Sequence, residues 1–230
     1  MTISVIIPTL NEETILAQTL AHTAALGFDD IIVVDGGSTD RTVQLAEASS
    51  AQTPTVHIIA APKGRACQMN AGAKASTGDT LLFLHADTQL PDNAWKIIES
   101  ALADPTVKGG RFDVYFDHPS LWGLTISLFM NWRSRLSRIA TGDQAIFVRR
   151  HVFEQLGGFA DIPLMEDIDF STRLKRAGRT AALRETVTTS FRRWEQQGPL
   201  RTILLMWTLR FLYWIGISPQ RLHNFYEAIR

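Results

Sequence analysis

The architecture is set by ISVIIPTLNEE, residues 3–13, in which a short apolar run ends at a proline and polar residues follow. The apolar part, residues 3–7, has the length and composition of a buried β-strand. Residues 31–34, 56–60 and 80–84 are further short apolar runs, and helical patterns separate all four. The sequence therefore predicts a β-α-β-α-β-α-β-α order, an α/β fold and a mostly parallel sheet flanked by helices.

The segments around these runs supply the expected helix boundaries and the domain plan. Asn11 is predicted to cap a first helix that ends near Leu26, and residues 38–40 to cap a second one. A later strand is expected over residues 186–191. No linker is evident, so we predict one domain over residues 1–195 and a C-terminal helical extension over residues 196–230 packed on it.

Composition narrows the class of protein. The 230 residues are 45% hydrophobic and 20% charged, which excludes a mostly disordered chain. The formal net charge is zero, which argues against binding of duplex nucleic acid through bulk charge. The single cysteine, Cys67, permits no intrachain disulfide and fits a reducing compartment. With no signal peptide pattern and no apolar run of about 18 residues, we expect a cytoplasmic protein, with peripheral contact at the inner face of the membrane as an option.

Polar residues follow the second strand. Ligands of parallel α/β sheets bind beyond the carboxyl ends of the strands, and Asp35-Gly36-Gly37 stands there. The Asp35 carboxylate could accept a hydrogen bond from a base N–H or a ribose hydroxyl, or the segment could be only a capped turn. The pattern is not the G-x-G-x-x-G fingerprint, which removes the main support for a nicotinamide or flavin enzyme.

The segment after the fourth strand, His85-Ala86-Asp87-Thr88-Gln89, is a candidate metal site. Hard oxygen ligands suit Mg²⁺ or Mn²⁺, and in an extended stretch Asp87 and Gln89 would point the same way. An equally good reading of Asp87 alone is a turn or helix-cap aspartate.

Three further segments each have a functional and a structural reading. Met165–Phe170 holds three carboxylates, which either supply a general base or favour the helix dipole. The basic loop 63–65 either binds phosphate oxygens or is a solvated surface loop. Arg192-Arg193-Trp194 either clamps a diphosphate or a sugar, or forms a surface cation–π pair.

Taken in order, these segments resemble the family 2 glycosyltransferases of the GT-A fold. The resemblance runs from VIIPTLNEE and VVDGGSTDRT through KGRACQMNAG and LLFLHADTQL to GDQAIFVRR and MEDIDF. The compact form, with HADT and SFRRW, looks most like the small bacterial transferase 2 subgroup described as radical-SAM/selenodomain-associated. It implies an inverting enzyme that moves a sugar from a nucleoside-diphosphate sugar, UDP- or GDP-linked, to an acceptor hydroxyl with a divalent cation, Mn²⁺ or Mg²⁺.

The resemblance also implies a role for each matching residue. The nucleotide-binding positions are Pro8, Thr9, Asn11, Glu12, Asp35, Gly37, Lys63, Arg65, His85 and Ala86. The metal-binding positions are Asp87 and Gln89. The catalytic base is Asp167. The positions that contact donor sugar or acceptor are Gly142, Asp143, Gln144, Glu166, Arg193 and Trp194.

Two departures from the family pattern shape the alternatives. His85 stands where the family has the first carboxylate of its metal motif, which favours a catalytically silent nucleotide-sugar binding protein as a rival reading. Ser190 stands where processive synthases have a glutamine, so such a synthase is not expected. A nucleotidyltransferase of similar fold would need a glycine-rich phosphate loop after the first strand, and PTLNEE has no glycine.

Two aromatic segments remain, residues 121–132 and 203–217, which hold four of the six tryptophans. Arginines near them, Arg133, Arg135 and Arg210 among others, suit a membrane interface and a lipid-linked acceptor. A buried core helix or a homodimer face is the alternative, and base rates of burial favour it slightly.

Overall fold

A computed structural model describes residues 1–118 and 120–229 of the chain. Its strands are β1 (Ile3–Thr9), β2 (Asp30–Asp35), β3 (Val56–Ala60), β4 (Thr80–Phe83), β5 (Thr88–Gln89), β6 (Val107–Phe116), β7 (Ile146–Arg149) and β8 (Arg179–Thr189). Its α-helices are α1 (Leu16–Ala25), α2 (Thr42–Gln52), α3 (Arg65–Ala75), α4 (Ala94–Leu102), α5 (Leu121–Ser137), α6 (Arg150–Gln155), α7 (Glu166–Ala177), α8 (Arg192–Gln197), α9 (Pro199–Trp214) and α10 (Pro219–Ile229). A 3₁₀ turn covers Gly142–Gln144.

The strands form one sheet in the order β3-β2-β1-β4-β7-β6-β8-β5. The pairs β2–β3, β1–β2 and β1–β4 are parallel, so the predicted α/β fold with a mostly parallel sheet is confirmed. Strand β7 runs antiparallel to both of its neighbours, β4 and β6, and its first residue Ile146 lies opposite Phe83 at the end of β4. The segment that enters β7 therefore reaches the same edge as the carboxyl ends of the parallel strands.

The central strands are buried on both faces because helices cover the sheet from either side. Alternate residues of β1 belong to different core clusters: Ile7 packs with Leu16 and Leu20 of α1, and Ile6 packs with Met69 of α3. This two-sided burial explains why the first strands are continuous apolar runs in the sequence.

The helix after β1 begins later than predicted. Asn11 does not cap it: α1 starts at Leu16, and Asn11 adopts a positive φ of 56°. The Asn11 side-chain oxygen instead accepts a hydrogen bond from the Thr39 N–H at 2.8 Å. The polar residue that would have capped the helix therefore ties the first strand–helix loop to the second.

The metal-motif segment is not extended, which corrects the second local prediction. Thr88 N–H donates to the His85 carbonyl at 3.1 Å, so residues 85–88 form a turn and only Thr88 and Gln89 form a strand. Asp87 and Gln89 thus lie on different elements and do not share one strand face.

The last strand, β8, spans Arg179–Thr189 and is longer than the strand predicted over residues 186–191. Its first half mixes charged and small residues because much of it is exposed, and its pairing with β6 shifts register between Arg111 and Asp113. No apolar run marks such a strand.

The C-terminal helices α9 and α10 pack on the beginning of α7. Leu205 and Leu209 of α9 join Leu222 and Tyr226 of α10 in a cluster with Met165. The boundary between a domain of residues 1–195 and an extension of residues 196–230 stays a prediction.

The aromatic residues on the outside of these helices are not core residues. Trp207 and Trp214 are 69% and 80% exposed, and Trp132 of α5 is 61% exposed. The interpretation of these segments as buried core helices is therefore wrong for their tryptophans. Among the residues that the structure describes, no helix is long and apolar enough to cross a membrane.

Glycine 72 permits the close approach of α3 to the sheet and offers a test of this packing. A Cβ at Gly72 would lie 2.5 Å from Ile6 Cγ2 and 2.9 Å from Val34 Cγ2. We expect Gly72→Ala to lower the free energy of unfolding by about 1–2 kcal/mol, since overpacking outweighs the gain in helix propensity. Urea unfolding measures this change. The exposed Lys74→Ala on the same helix should change stability by less than about 0.5 kcal/mol, and a stabilised Gly72→Ala would contradict the packing.

Candidate active site

The Asp35 carboxylate organises the loop after β2. Its Oδ2 accepts from the N–H groups of Gly37 and Ser38 at 2.8 and 3.0 Å, and its Oδ1 accepts from the Ser38 hydroxyl at 2.5 Å. Asp35 is buried, whereas Gly37 is exposed with a positive φ of 92°. The loop therefore has the capped geometry of the structural reading, and it holds the buried carboxylate at the carboxyl edge of the sheet.

The loops after β1 and β2 are joined to each other. Ser38 Oγ lies 2.9 Å from the Asn11 N–H, and Thr42 Oγ1 accepts from the Glu12 N–H at 2.8 Å. Beneath them the buried Gln68 amide donates to the carbonyls of Thr9 and Val34, both at 2.8 Å. These hydrogen bonds join three segments that are far apart in sequence: the loops after β1 and β2, and α3 beneath them.

One end of the candidate site holds two carboxylates, Glu12 and Asp87, and the nearby cation Arg192. Burial, followed by the nearby charge of Asp87, raises the pKa of Glu12. Arg192 Nη2 lies 3.4 Å from Glu12 Oε2, and Arg192 Nη1 lies 3.3 Å from Thr14 Oγ1. The start of α8 is in this way fastened to the loop after β1.

Some predicted nucleotide-binding residues serve the framework or face solvent. Ala86 is buried, and its carbonyl accepts a 2.6 Å hydrogen bond from Thr19 Oγ1. Lys63 is exposed, and Pro8 is half-buried beside His85.

His85 joins the turn after β4 to the segment before β7. Its Nδ1 lies 3.1 Å from Asp143 Oδ1, while its buried Nε2 has no hydrogen-bond partner. A Cβ at Gly142 would collide with this ring, so only glycine lets the two segments approach so closely. Burial would raise the pKa of Asp143, but the His85 hydrogen bond and charge, with Arg65 and Arg193, lower it to about 2.

Asp167 lies at the first turn of α7 and is held by two backbone groups. Its Oδ2 accepts from the Gly142 N–H at 2.9 Å, and its Oδ1 accepts from the Ile168 N–H at 2.7 Å. Burial raises the pKa of Asp167 in spite of these hydrogen bonds. The carboxylate is therefore oriented and more basic than an exposed aspartate.

The neighbouring Glu166 is buried and faces a cation. Its Oε1 lies 3.7 Å from Nη1 of Arg65, whose side chain is half exposed at the start of α3. Burial and then the Asp167 charge raise the pKa of Glu166. Four carboxylates act on Arg65 and raise its pKa against the effect of burial, which places the guanidinium among them.

A small cavity joins these parts. The lining includes Pro8 from β1, Arg65 from α3, His85 after β4, Gly142 from the 3₁₀ turn and Asp167 from α7. The structure thus brings the predicted base, the predicted nucleotide edge and the basic loop to one place at the sheet edge.

Three predicted substrate contacts have partners within the fold. Gln144 is buried and donates to Ser134 Oγ at 3.0 Å, so its side chain positions the 3₁₀ turn. Arg193 donates to the Tyr226 hydroxyl at 2.6 Å, and Trp194 packs edge-on against Phe116.

A divalent cation would find one suitable carboxylate at the predicted position and few neighbours. Within residues 1–118 and 120–229, no group of three His, Cys, Asp or Glu side chains is arranged to hold a metal ion. Asp87 supplies a hard oxygen ligand, and Gln89 lies apart in β5. The residues at the predicted position therefore offer a single carboxylate ligand, Asp87.

Sequence reasoning missed the buried charge of Arg133. This residue of α5 has two guanidinium nitrogens, Nε and Nη2, buried without a hydrogen-bond partner. Burial lowers its pKa, and the charges of Asp167 and Asp143 act in the opposite direction. Nothing in the sequence separates it from the other arginines of an aromatic-rich helix, because only the fold shows which one turns inward.

Comparison with known proteins identifies relatives of the chain. A probable glycosyltransferase of Bacillus subtilis, YdaM, is 28% identical over 197 residues, which are 76% of this chain and 47% of that protein. The undecaprenyl-phosphate 4-deoxy-4-formamido-L-arabinose transferase of Pectobacterium carotovorum is 31% identical over 65% of this chain and 49% of its own length. A PGL/p-HBAD biosynthesis glycosyltransferase of Mycobacterium bovis is 31% identical over 74% of this chain and 68% of that protein. The chain spans about half the length of the first two relatives.

Solved structures share the fold at low sequence identity. Staphylococcus aureus TarS, residues 1–349 with UDP, has a TM-score of 0.69 and 19% identity, and covers 83% of this chain and 60% of its own. The mannosyltransferase PcManGT of Pyrobaculum calidifontis, in complex with GDP-Man and Mn²⁺, has a TM-score of 0.62 and 20% identity, and covers 81% and 56%. The sequence profile of glycosyl transferase family 2 matches residues 4–157. That match covers well over half of the protein, and the chain therefore belongs to glycosyl transferase family 2.

Proposed function

We propose that the protein transfers a sugar from a nucleoside-diphosphate sugar to an acceptor hydroxyl with inversion at the anomeric carbon. The observation that carries the proposal is Asp167, a carboxylate of raised pKa held by two backbone N–H groups at the cavity. Family membership supports the reaction class. The subgroup described as radical-SAM/selenodomain-associated remains part of the proposal.

Asp167 acts as the general base in this mechanism. Its carboxylate takes the proton of the acceptor hydroxyl while the acceptor oxygen forms a bond to the anomeric carbon. The bond from that carbon to the diphosphate oxygen breaks on the opposite face, and its electron pair leaves with the nucleoside diphosphate. The raised pKa makes Asp167 a better proton acceptor, and the Gly142 and Ile168 N–H groups aim it.

The loops after β1 and β2 bind the nucleotide in the proposal. Asp35 and the backbone of residues 8–12 face the base and ribose, and Arg65 faces the leaving diphosphate. Arg65 suits that role because its half-exposed guanidinium lies among carboxylates on both sides of the cavity. Positioned cations stabilise charge that grows on the leaving group.

A divalent cation, Mn²⁺ or Mg²⁺, completes the donor site in the proposal. Asp87 would hold the cation, because it supplies a carboxylate at the predicted position and the described residues supply no three-ligand cluster. A structural neighbour, PcManGT, is in complex with GDP-Man and Mn²⁺, which supports the use of a cation. When bound, the cation neutralises charge on the diphosphate.

A lipid-linked acceptor is the finer part of the proposal. It is supported by the names of relatives that act on undecaprenyl phosphate or in PGL biosynthesis. The exposed apolar residues of α9, at heptad-like spacing, are Leu200, Leu204, Trp207, Phe211 and Trp214. Ile126 of α5 and Ile203 of α9 pack into one cluster, so the two helices are neighbours, and each also carries exposed apolar residues. These exposed residues would rest on the inner face of a membrane.

Replacement of the base tests the mechanism. We expect Asp167→Asn to lose transfer by about a hundredfold or more, because an amide cannot take up the proton. The variant should keep its melting-temperature shift with UDP or GDP. The matched control is Asp169→Asn, two residues along the same helix, whose carboxylate is engaged by Arg173 at 2.6 Å. The control should retain transfer, and a fully active Asp167→Asn would exclude this base.

A thermal-shift panel tests the donor site. We expect one of UDP, GDP, CDP and dTDP to raise the melting temperature more strongly with Mn²⁺, because ligands of the folded state stabilise it. Asp87→Asn should lose the Mn²⁺-dependent part, while the exposed Asp92→Asn should keep it. A metal-independent shift without any transfer would instead favour a silent nucleotide-sugar binding protein, as His85 in the metal motif allows.

Liposome flotation tests the membrane contact. We expect the protein to float with liposomes that contain anionic lipid, since exposed tryptophans favour the interface. Replacing Trp207 and Trp214 together by glutamine should abolish flotation, because both are exposed on α9. Failure of the wild type to float, with a concentration-dependent dimer in sedimentation, would assign the surface to a second copy.

A further inference from the structure

The guanidinium of Arg133 is a buried cation that forms no ion pair and whose Nε and Nη2 have no hydrogen-bond partner among the described residues. Two nearby arginines, in contrast, have a carboxylate partner. Arg111 and Arg135 both pair with Asp113, Arg135 Nη2 at 2.6 Å from Asp113 Oδ2. A buried charge is costly unless it is paired, so the unpaired Arg133 indicates an anion that is brought by a ligand.

The location of Arg133 follows from the charges and the hydrogen bond near it. The carboxylates whose charges act on it are Asp167 and Asp143. Its neighbour in sequence, Ser134, accepts the hydrogen bond from Gln144 that positions the 3₁₀ turn. Glu12 and Asp87, at the donor end, affect each other instead. Arg133 therefore lies near the proposed base and the 3₁₀ turn.

The surface around Arg133 is apolar. Residues three or four positions apart on a helix are neighbours on its surface, which places Phe129 and Leu136 on either side of Arg133. Both are exposed, at 58% and 73%. An anion bound here would be bordered by apolar side chains, as suits a molecule that joins an anionic group to a hydrocarbon chain.

We propose that Arg133 binds an anionic group of the acceptor, a phosphate in chemical class, and so selects acceptors that carry one. This inference rests on the proposed function, because only that function defines an acceptor. The anion site itself does not depend on the reaction. The planar guanidinium has N–H groups at Nε and Nη2 without a partner, and this arrangement matches the geometry of phosphate oxygens.

Binding without donor tests the proposal, with tryptophan fluorescence as the readout. The probes are farnesyl phosphate, farnesol and inorganic phosphate. We expect Arg133→Gln to weaken binding of farnesyl phosphate about tenfold or more, through lost charge-assisted hydrogen bonds, and to leave any binding of farnesol unchanged. The control is Arg138→Gln, which removes an exposed arginine from the end of the same helix and should bind farnesyl phosphate as the wild type does. Arg133→Lys should restore part of the affinity.

The two sources of phosphate are separated by the probes. Arg133-dependent binding of inorganic phosphate as tight as that of farnesyl phosphate would identify a water-soluble acceptor. Much tighter binding of farnesyl phosphate would identify an amphiphilic one. Equal binding of every probe by wild type and Arg133→Gln, or no binding by the wild type, would overturn the proposal. A weakened response to UDP or GDP with unchanged farnesyl phosphate binding would assign Arg133 to the donor and also overturn it.

Stability distinguishes this role from a structural one. Without ligand, Arg133→Gln should melt at or above the wild-type temperature, because an unpaired buried cation is removed. A structural arginine would give a lower melting temperature and unchanged probe binding. The result also stands apart from the proposed transfer reaction: Asp167→Asn should keep Arg133-dependent binding of farnesyl phosphate. If no donor supports transfer but this binding persists, the reaction is wrong and the anion site is retained.

Discussion

The side-chain amide of Gln68 holds together the strand ends on which the whole site stands. Its Nε2 donates to the carbonyls of Thr9, the last residue of β1, and Val34, the residue before the end of β2. These carbonyls also accept from the Gly36 N–H and the Thr9 hydroxyl, so Gln68 completes the hydrogen bonding of two buried strand ends. Gly36 makes the contact feasible, since a Cβ there would lie 2.9 Å from the same nitrogen. The loops that carry Asn11 and Asp35 are therefore set relative to each other from below.

The candidate site beyond these strand ends holds charged side chains in buried surroundings that disfavour their charged form. Burial raises the pKa of Asp167 and Glu166 and lowers that of Arg133. Each of these groups would be better solvated at the surface, so the rest of the fold must hold them in place. The central strands β1 and β4, in which every residue except Pro8 is buried, provide that support. Strained electrostatics on a rigid sheet is the usual arrangement of a catalytic or binding site.

The sequence was informative where burial is two-sided and uninformative where contacts are distant. The strands β1, β2 and β4 are predictable because buried parallel strands are continuous apolar runs. The helix cap predicted at Asn11 is wrong because the partner of its side chain, Thr39, lies in another loop. The turn at residues 85–88 and the exposed half of β8 have no local signature. The roles assigned to Asp167 and the basic loop come from motif order and stay proposals, whereas the buried guanidinium of Arg133 depends on which side of α5 packs inward.

The reversed strand β7 separates the site into two halves of different origin. The nucleotide side is built from the parallel strands β1, β2 and β4, and the opposite side from the turn before β7, α5 and α7. The polar contacts between the halves include His85 with Asp143 and Arg65 with Glu166, and Phe170 of α7 packs in one cluster with Ile6 and Phe83. In the proposed reaction the donor and the acceptor would therefore bind to separate structural elements, so a change in the segments around β7 could alter the acceptor side and leave the loops after β1 and β2 unchanged.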